Sequence, residues 1–226
     1  MRIKIKFKGS KTEFTNNSLP LVKGWFEDNL LGRKNESHDK RSNYCISPLL
    51  GGVRKGKTES FPDGGYMYFS TNSEELMNTV VLSLFGATGS AIGDLFYESF
   101  EMVKDSHIHS DYDIIRTLSP LLLRSSHKAI RFDDERFIPL LRERAVDLLI
   151  ENGIRKEKAE TLQMELFHPE NAKVVDVQYN GTHNFSNKVM LIVRGDWKAR
   201  EALYLLGLGC CRGCGFGYVT VNDSER

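Results

Sequence analysis

The chain has 226 residues, 40% of them hydrophobic, and 31 Lys+Arg against 30 Asp+Glu give a net charge of +1. That supports one large packed core or two small ones, and no apolar run approaches the ~20 residues of a membrane span. The stretch Met1–Phe7 lacks the apolar core of a secretion signal. Four cysteines, three of them crowded at 210, 211 and 214, are no disulfide framework, and together these features imply a cytoplasmic protein. The small net charge hides an asymmetry. Residues 1–60 hold 13 basic against 6 acidic side chains, residues 61–131 hold 5 against 9, residues 132–170 hold 6 against 10, and residues 171–226 hold 7 against 5. A fold that joins the two ends would make a basic surface suited to a phosphate backbone.

Residues 2–8 alternate strictly, with Ile3, Ile5 and Phe7 on one side and Arg2, Lys4, Lys6 and Lys8 on the other. This predicts a half-buried strand with a basic outer face. Ser18-Leu19-Pro20 predicts a helix start capped by Ser18, running to about Leu31. A polar, basic segment from Gly32 to Arg41 carries His38. Tyr44–Val53 and Gly65–Ser70 read as strands, separated by a basic turn with Arg54, Lys55 and Lys57. Ser73-Glu74-Glu75 opens a second helix that ends near Phe85. Ala91–Val103 reads as a strand. The order strand, helix, strand, strand, helix, strand is that of a ferredoxin-like unit, and Lys104–Asp113 reads as a linker.

The second half repeats the order less clearly. Ile114–Leu123 is strand-like, with Pro120 arguing for an edge or a bend. A helix from Asp133 to Ile150 is ended by Asn152-Gly153. Ile154–Phe167 reads as further helix, and Ala172–Tyr179 and Lys188–Val193 as strands joined by an Asn180-Gly181 hairpin turn. Asp196–Leu206 is a helix, and Tyr218–Val221 a last strand. Ile46-Ser47-Pro48-Leu49-Leu50 and Leu118-Ser119-Pro120-Leu121-Leu122 look alike but fall in different elements.

Between that last helix and strand, five glycines fall in residues 207–217: Gly207-Leu208-Gly209, five residues, then Gly215-Phe216-Gly217, with Gly213 between. Such a run can turn several N–H groups inward as an anion nest. It leaves a helix rather than entering one, so anion attraction would have to come from the loop amides and Arg212. Cys211-x-x-Cys214 raises a zinc or redox question. With no second Cys or His pair to complete a tetrahedral site, these cysteines read as loop filler.

The glycine pattern resembles the C-terminal loop of the RAMP superfamily of CRISPR-associated proteins, and most closely its repeat-RNA-cleaving endoribonuclease family, Cas six. A weaker landmark agrees: His38 after the first helix, then a strand with Ser47-Pro48. The resemblance implies an α+β fold of two tandem ferredoxin-like (RRM-like) domains, 1–106 and 107–226. It also implies cleavage of CRISPR repeat RNA to mature guide RNA without a metal or cofactor, leaving 2′,3′-cyclic phosphate and 5′-hydroxyl ends. His38 would be catalytic, with Lys40, Tyr44 or, on the first helix, Lys23 beside it. Arg41, Arg54, Lys55, Lys57, Gly207, Gly209, Arg212, Gly215 and Gly217 would hold RNA, with Lys4 and Lys6 as further phosphate contacts. Other CRISPR-associated effector proteins and a second copy of the chain are the other partners this implies. Two rivals share the fold: a non-cleaving RAMP subunit that binds guide RNA, and a ferredoxin-like domain whose loop holds a small phosphate ligand.

Overall fold

The structure is a computed structural model describing residues 1–15, 18–32, 42–56, 58–104 and 111–221. The first half is built on strand β1 (Arg2–Phe7). There follow β2 (Ser10–Thr15), helix α1 (Leu19–Phe26) with a π-helical turn over Glu27–Leu31, β3 (Tyr44–Ile46), β4 (Val53–Lys55) and β5 (Thr58–Phe61). Then come β6 (Gly65–Thr71), α2 (Glu74–Gly86), β7 (Ala91–Ile92) and β8 (Leu95–Val103). The main sheet has the order β3-β6-β1-β8-β7, all antiparallel, which is the ferredoxin-like arrangement with a short extra strand. Ile3, Ile5 and Phe7 sink into one core with Trp25 and Phe26 of α1 and Val80 and Leu84 of α2, as the alternation predicts. A separate sheet, β2-β5-β4, stands beside it.

The second half comprises β9 (Tyr112–Thr117), the small hairpin β10 (Arg124–Ser125) and β11 (Lys128–Ala129), α3 (Phe137–Glu151) and α4 (Lys156–Ala159). It continues with β12 (Gln163–Phe167), β13 (Lys173–Tyr179), β14 (Thr182–Lys188), β15 (Met190–Arg194), α5 (Trp197–Leu206) and β16 (Val219–Val221). Its main sheet, β12-β15-β9-β16, is again ferredoxin-like and antiparallel. α3 and α5 cover it through Leu141, Leu149, Leu203 and Leu206 against Ile115, Leu191, Val193 and Val219. The fold is therefore α+β with two ferredoxin-like units. The expected division between residues 106 and 107 lies outside the described residues. Among the described residues no helix is long and apolar enough to cross a membrane.

Several boundaries depart from the sequence reading. Ser18 stands at the head of α1 but is itself helical (φ −72°, ψ −14°), and its side chain makes no cap bond. Its carbonyl accepts from Val22 N at 2.9 Å instead. Ser73 does cap α2, accepting from Leu76 N at 3.2 Å. The strand expected over Tyr44–Val53 stops at Ile46, because Ser47-Pro48 turns the chain aside, and a lone bridge at Leu50–Tyr66 follows. Gly93, at φ +62°, folds Ala91–Val103 into the β7–β8 hairpin. Residues 112 and 113, expected in a linker, open β9, and Asp113 is buried against Arg200 of α5. β9 ends at Thr117, before Pro120, and runs between β15 and β16 rather than at an edge. Residues 154–167 are mostly not helical: after one turn, Met164 is buried between exposed Gln163 and Glu165, the period of a strand. Asn180-Gly181, at φ 48° and 76°, closes a two-residue turn between β13 and β14. The strand expected over Lys188–Val193 is β15, in the main sheet, and β14 is a further strand that takes its place as the hairpin partner of β13.

Candidate functional site

The glycine loop leaves α5 at Gly207 and re-enters the sheet at Val219. Gly207, Gly209, Gly215 and Gly217 all have φ between 67° and 90°. Two of them show why a side chain is excluded. A Cβ on Gly217 would collide with the Leu208 carbonyl, and one on Gly209 would lie 2.5 Å from the Leu122 carbonyl oxygen. Most of the loop's donors are spent on the protein itself. Leu208 N donates to Gly217 O (2.9 Å), Cys210 N to Leu122 O (2.7 Å), Gly217 N to Pro120 O (3.0 Å) and Cys214 N to Cys211 O (2.8 Å). Tyr218 N donates to Ser119 Oγ (2.8 Å). These bonds stitch the loop to the segment after β9.

Arg212, expected to meet phosphate, is 5% exposed. Its guanidinium donates to Ser42 O at 2.7 Å. Gly213 lies so near that a Cβ there would be 2.5 Å from Ser42 Oγ. The glycine loop therefore grips the chain at Ser42, just before β3. His38, Lys40, Arg41 and Lys57 lie outside the described residues, as do His107 and His109. Tyr44 is described, and it is a core residue: its 4%-exposed ring packs on Phe26 and Phe69 at 5.5 and 5.9 Å. That burial gives the ring a packing role in the first core. Lys23 pairs with Glu27 one turn along the helix, at 2.8 Å. Arg54 and Lys55 are exposed on β4, with Arg54 opposite Glu59. His168 and His183 are exposed and held by Glu170 and Asp176. Lys4 lies over the Tyr66 ring at 4.2 Å, and Lys4 and Lys6 flank Glu101 at 3.7 and 2.6 Å. Those two cations hold the Glu101 carboxyl below its ordinary pKa.

The basic face of β1 is not uniformly wet. Arg2 is 4% exposed and crosses into the second unit. Its guanidinium lies 3.3 Å from the Tyr204 ring and 4.6 Å from the Tyr218 ring. It donates to Val219 O at 2.7 Å and to Tyr204 O. Tyr68 of β6 stacks on Tyr218 at 5.6 Å and 17°. Both tyrosines are held by the paired Ser-Pro motifs. Ser47 N donates to Tyr68 O (2.9 Å) and Tyr68 N to Ser47 Oγ (2.8 Å). Ser119 N donates to Tyr218 O (3.2 Å), and Tyr218 N returns the bond. The likeness of the two motifs is thus a shared device on either side of one seam. Burial pushes the Cys45 thiol, beside Gly207, up to about 12.

Comparison with known proteins now decides the family. The sequence signature described as "CRISPR associated protein Cas6, C-terminal" matches residues 102–221, more than half of the chain. The chain belongs to the Cas6 family. Its fold is similar to that of a solved structure described as "An RAMP protein binding different RNA substrates". The two share 18% identity and a TM-score of 0.81, with 99% of this chain and 100% of that one covered. A Cas6-related protein from Pyrococcus furiosus gives 18% identity and a TM-score of 0.78 over 100% of this chain and 99% of its own. A Cas6 product complex gives 16% identity and a TM-score of 0.63 over 98% and 99%. A search of curated protein sequences finds no match. In this Cas6-family chain two arginines tie the halves together, Arg212 of the glycine loop to Ser42 and Arg2 of β1 to Val219.

Proposed function

We propose that this chain is an endoribonuclease that cuts CRISPR repeat RNA by attack of the RNA's own 2′-hydroxyl, without a metal. The products would be a 2′,3′-cyclic phosphate and a 5′-hydroxyl. Family membership supports the class of substrate. The observation that carries the reading is the Arg212–Ser42 clamp. Ser42 lies four residues from His38, a span of at most about 14 Å along the chain. The glycine loop is therefore tied to the chain four residues from the one histidine that the family pattern singles out.

In this reading a base takes the 2′-hydroxyl proton, an acid protonates the leaving 5′-oxygen, and a cation steadies the charged phosphorane. His38 suits the proton transfers, because an imidazole titrates near neutrality and neighbouring cations favour its neutral form. Lys40 supplies the cation. Arg41, Arg54, Lys55 and Lys57 follow the RNA backbone and position it without reading sequence. Arg212 and the loop glycines hold the chain at Ser42, four residues after His38. The four cysteines are free thiols, which fits a cytoplasmic setting. RNA-loaded effector assemblies and a second copy of the chain are the partners this role suggests.

One assay tests the reading. Repeat RNA is incubated with the protein in EDTA, beside the same RNA carrying a 2′-deoxy sugar at the cut site. The expected result is cutting of the first and sparing of the second. His38→Ala should slow cutting by ~100-fold or more while RNA affinity stays. Tight binding with no cutting would make the chain a guide-RNA-holding subunit instead.

A further inference from the structure

The cysteine pair read from sequence as filler sits in a different environment from the one buried thiol. Cys45 is fully buried and its thiol is pushed up to about 12, which leaves it inert. Cys211 is exposed and Cys214 partly so. Cys214 N donates to Cys211 O at 2.8 Å, closing a turn over Arg212 and Gly213. Residues three apart in a turn of this kind stack on one side, with Cα atoms within about 7 Å, the span a disulfide can bridge. Cys214 packs, beside Tyr179, against the small cluster of Leu19, Leu122 and Phe216, so its place in the turn is fixed. Cys211 also holds a left-handed backbone (φ 58°, ψ 34°), a position for which glycine or asparagine is the usual choice.

Three elements converge on Cys214. The glycine loop brings Cys211 and Phe216, β13 brings Tyr179 with its ring 6.2 Å from Phe216, and α1 brings Leu19. The hydrogen bond from Cys211 holds the Cys214 thiol below its ordinary value, helped by Tyr179 and Lys23 and opposed by burial and Glu27. Cys211 is pushed the other way by donating that bond, with burial and Cys210 adding and Arg124 opposing. One sulfur is thus prepared to attack and its neighbour to follow.

We propose that Cys211 and Cys214 form a dithiol site that hydrogen peroxide closes to an intramolecular disulfide, Cys214 attacking and Cys211 resolving. The Cys214 thiolate attacks one peroxide oxygen, the O–O bond breaks, and the departing hydroxide takes a proton to leave as water. Cys214 becomes a sulfenic acid. The Cys211 sulfur, giving up its proton, then attacks the Cys214 sulfur, the S–O bond breaks, and a second water leaves. Two thiols and one peroxide give one disulfide and two waters, with two electrons passing from sulfur to oxygen. The bridge encloses Arg212 and Gly213, the two residues that touch Ser42. The proposal stands apart from RNA cleavage.

The test uses the full reduced chain and hydrogen peroxide alone. After blocking free thiols and digesting, mass spectrometry should find a Cys211–Cys214 bridge that dithiothreitol reverses. Cys211→Ser should stop at a Cys214 sulfenic acid trapped by dimedone, and Cys214→Ser should leave Cys211 reduced. On the unaltered chain, alkylation of Cys214 near neutral pH should run at least about tenfold faster than in urea, since a lowered pKa keeps thiolate present on the acid side. A bridge through Cys210, or alkylation of Cys214 no faster than in the unfolded chain, would overturn the proposal.

Discussion

Arg212 shows how burial reassigns a charge. Its guanidinium ends on the Ser42 carbonyl rather than in solvent. Removing it deletes a charge-assisted bond worth about 2 kcal/mol and loosens the chain at Ser42. Arg212→Ala is therefore expected to lower the melting temperature and slow cleavage, while the salt dependence of RNA affinity stays as it was. A phosphate contact would instead cut the slope of log K against log salt by about one. Titrations of wild type and variant at several salt concentrations separate the two roles. The sequence placed Arg212 inside the right loop. It could not say which way the side chain turned, because a basic residue among glycines reads the same whether it faces a phosphate or a carbonyl. Tyr44 carries the same lesson: its place after the basic segment gave no sign that its ring packs on Phe26 and Phe69.

At the scale of elements, local pattern carried most of what was legible. The strict alternation of β1, the Ser73 cap, the Asn152-Gly153 stop and the Asn180-Gly181 turn are each set by a few neighbouring residues. The misses came where distant contacts overrule local preference. Residues 163–167 are too few to show their period against the helical turn before them, and β15 fixes them as a strand. The glycine loop divides the same way. Its glycines were visible, but their reason is contact with Leu122 and Leu208, which no spacing reveals. Gly217→Ala is expected to cost at least about 2 kcal/mol, since both its φ of 67° and the Leu208 carbonyl oppose a Cβ. Gly181→Ala, in a turn with open space around it, should cost about 1 kcal/mol, the conformational part alone. Urea unfolding of the two variants measures the difference; equal losses would mean that the loop yields to the added methyl.

The two-unit plan of the whole molecule was legible from element order, and its seam was not. Arg2 joins β1 to Tyr204, Tyr218 and Val219, more than 200 residues away. Nothing in an alternating basic strand marks one of its cations for burial. The paired Ser-Pro motifs were visible, and only the fold shows that they hold Tyr68 and Tyr218 face to face. Arg2→Ala is expected to weaken the seam by about 2–4 kcal/mol, from lost ring contacts and two carbonyl bonds. Calorimetry should then show unfolding at lower temperature and a widened or divided transition. Arg2→Lys should not restore it, because an ammonium cannot lie flat between two rings. An unchanged transition in both variants would mean that the seam does not couple the units.

The reach of Arg2 also sets an order of events during synthesis. Tyr204 follows it by 202 residues. At about 5–20 residues per second, the ribosome needs roughly 10–40 s to make that stretch. The first sheet can fold long before then, and for that interval the Arg2 guanidinium stays hydrated on its surface. A charge there keeps the nascent sheet's open face from sticking to other chains. The same charge is taken in only when the last helix and strand arrive, so one residue guards the half-made protein and then bolts the finished one.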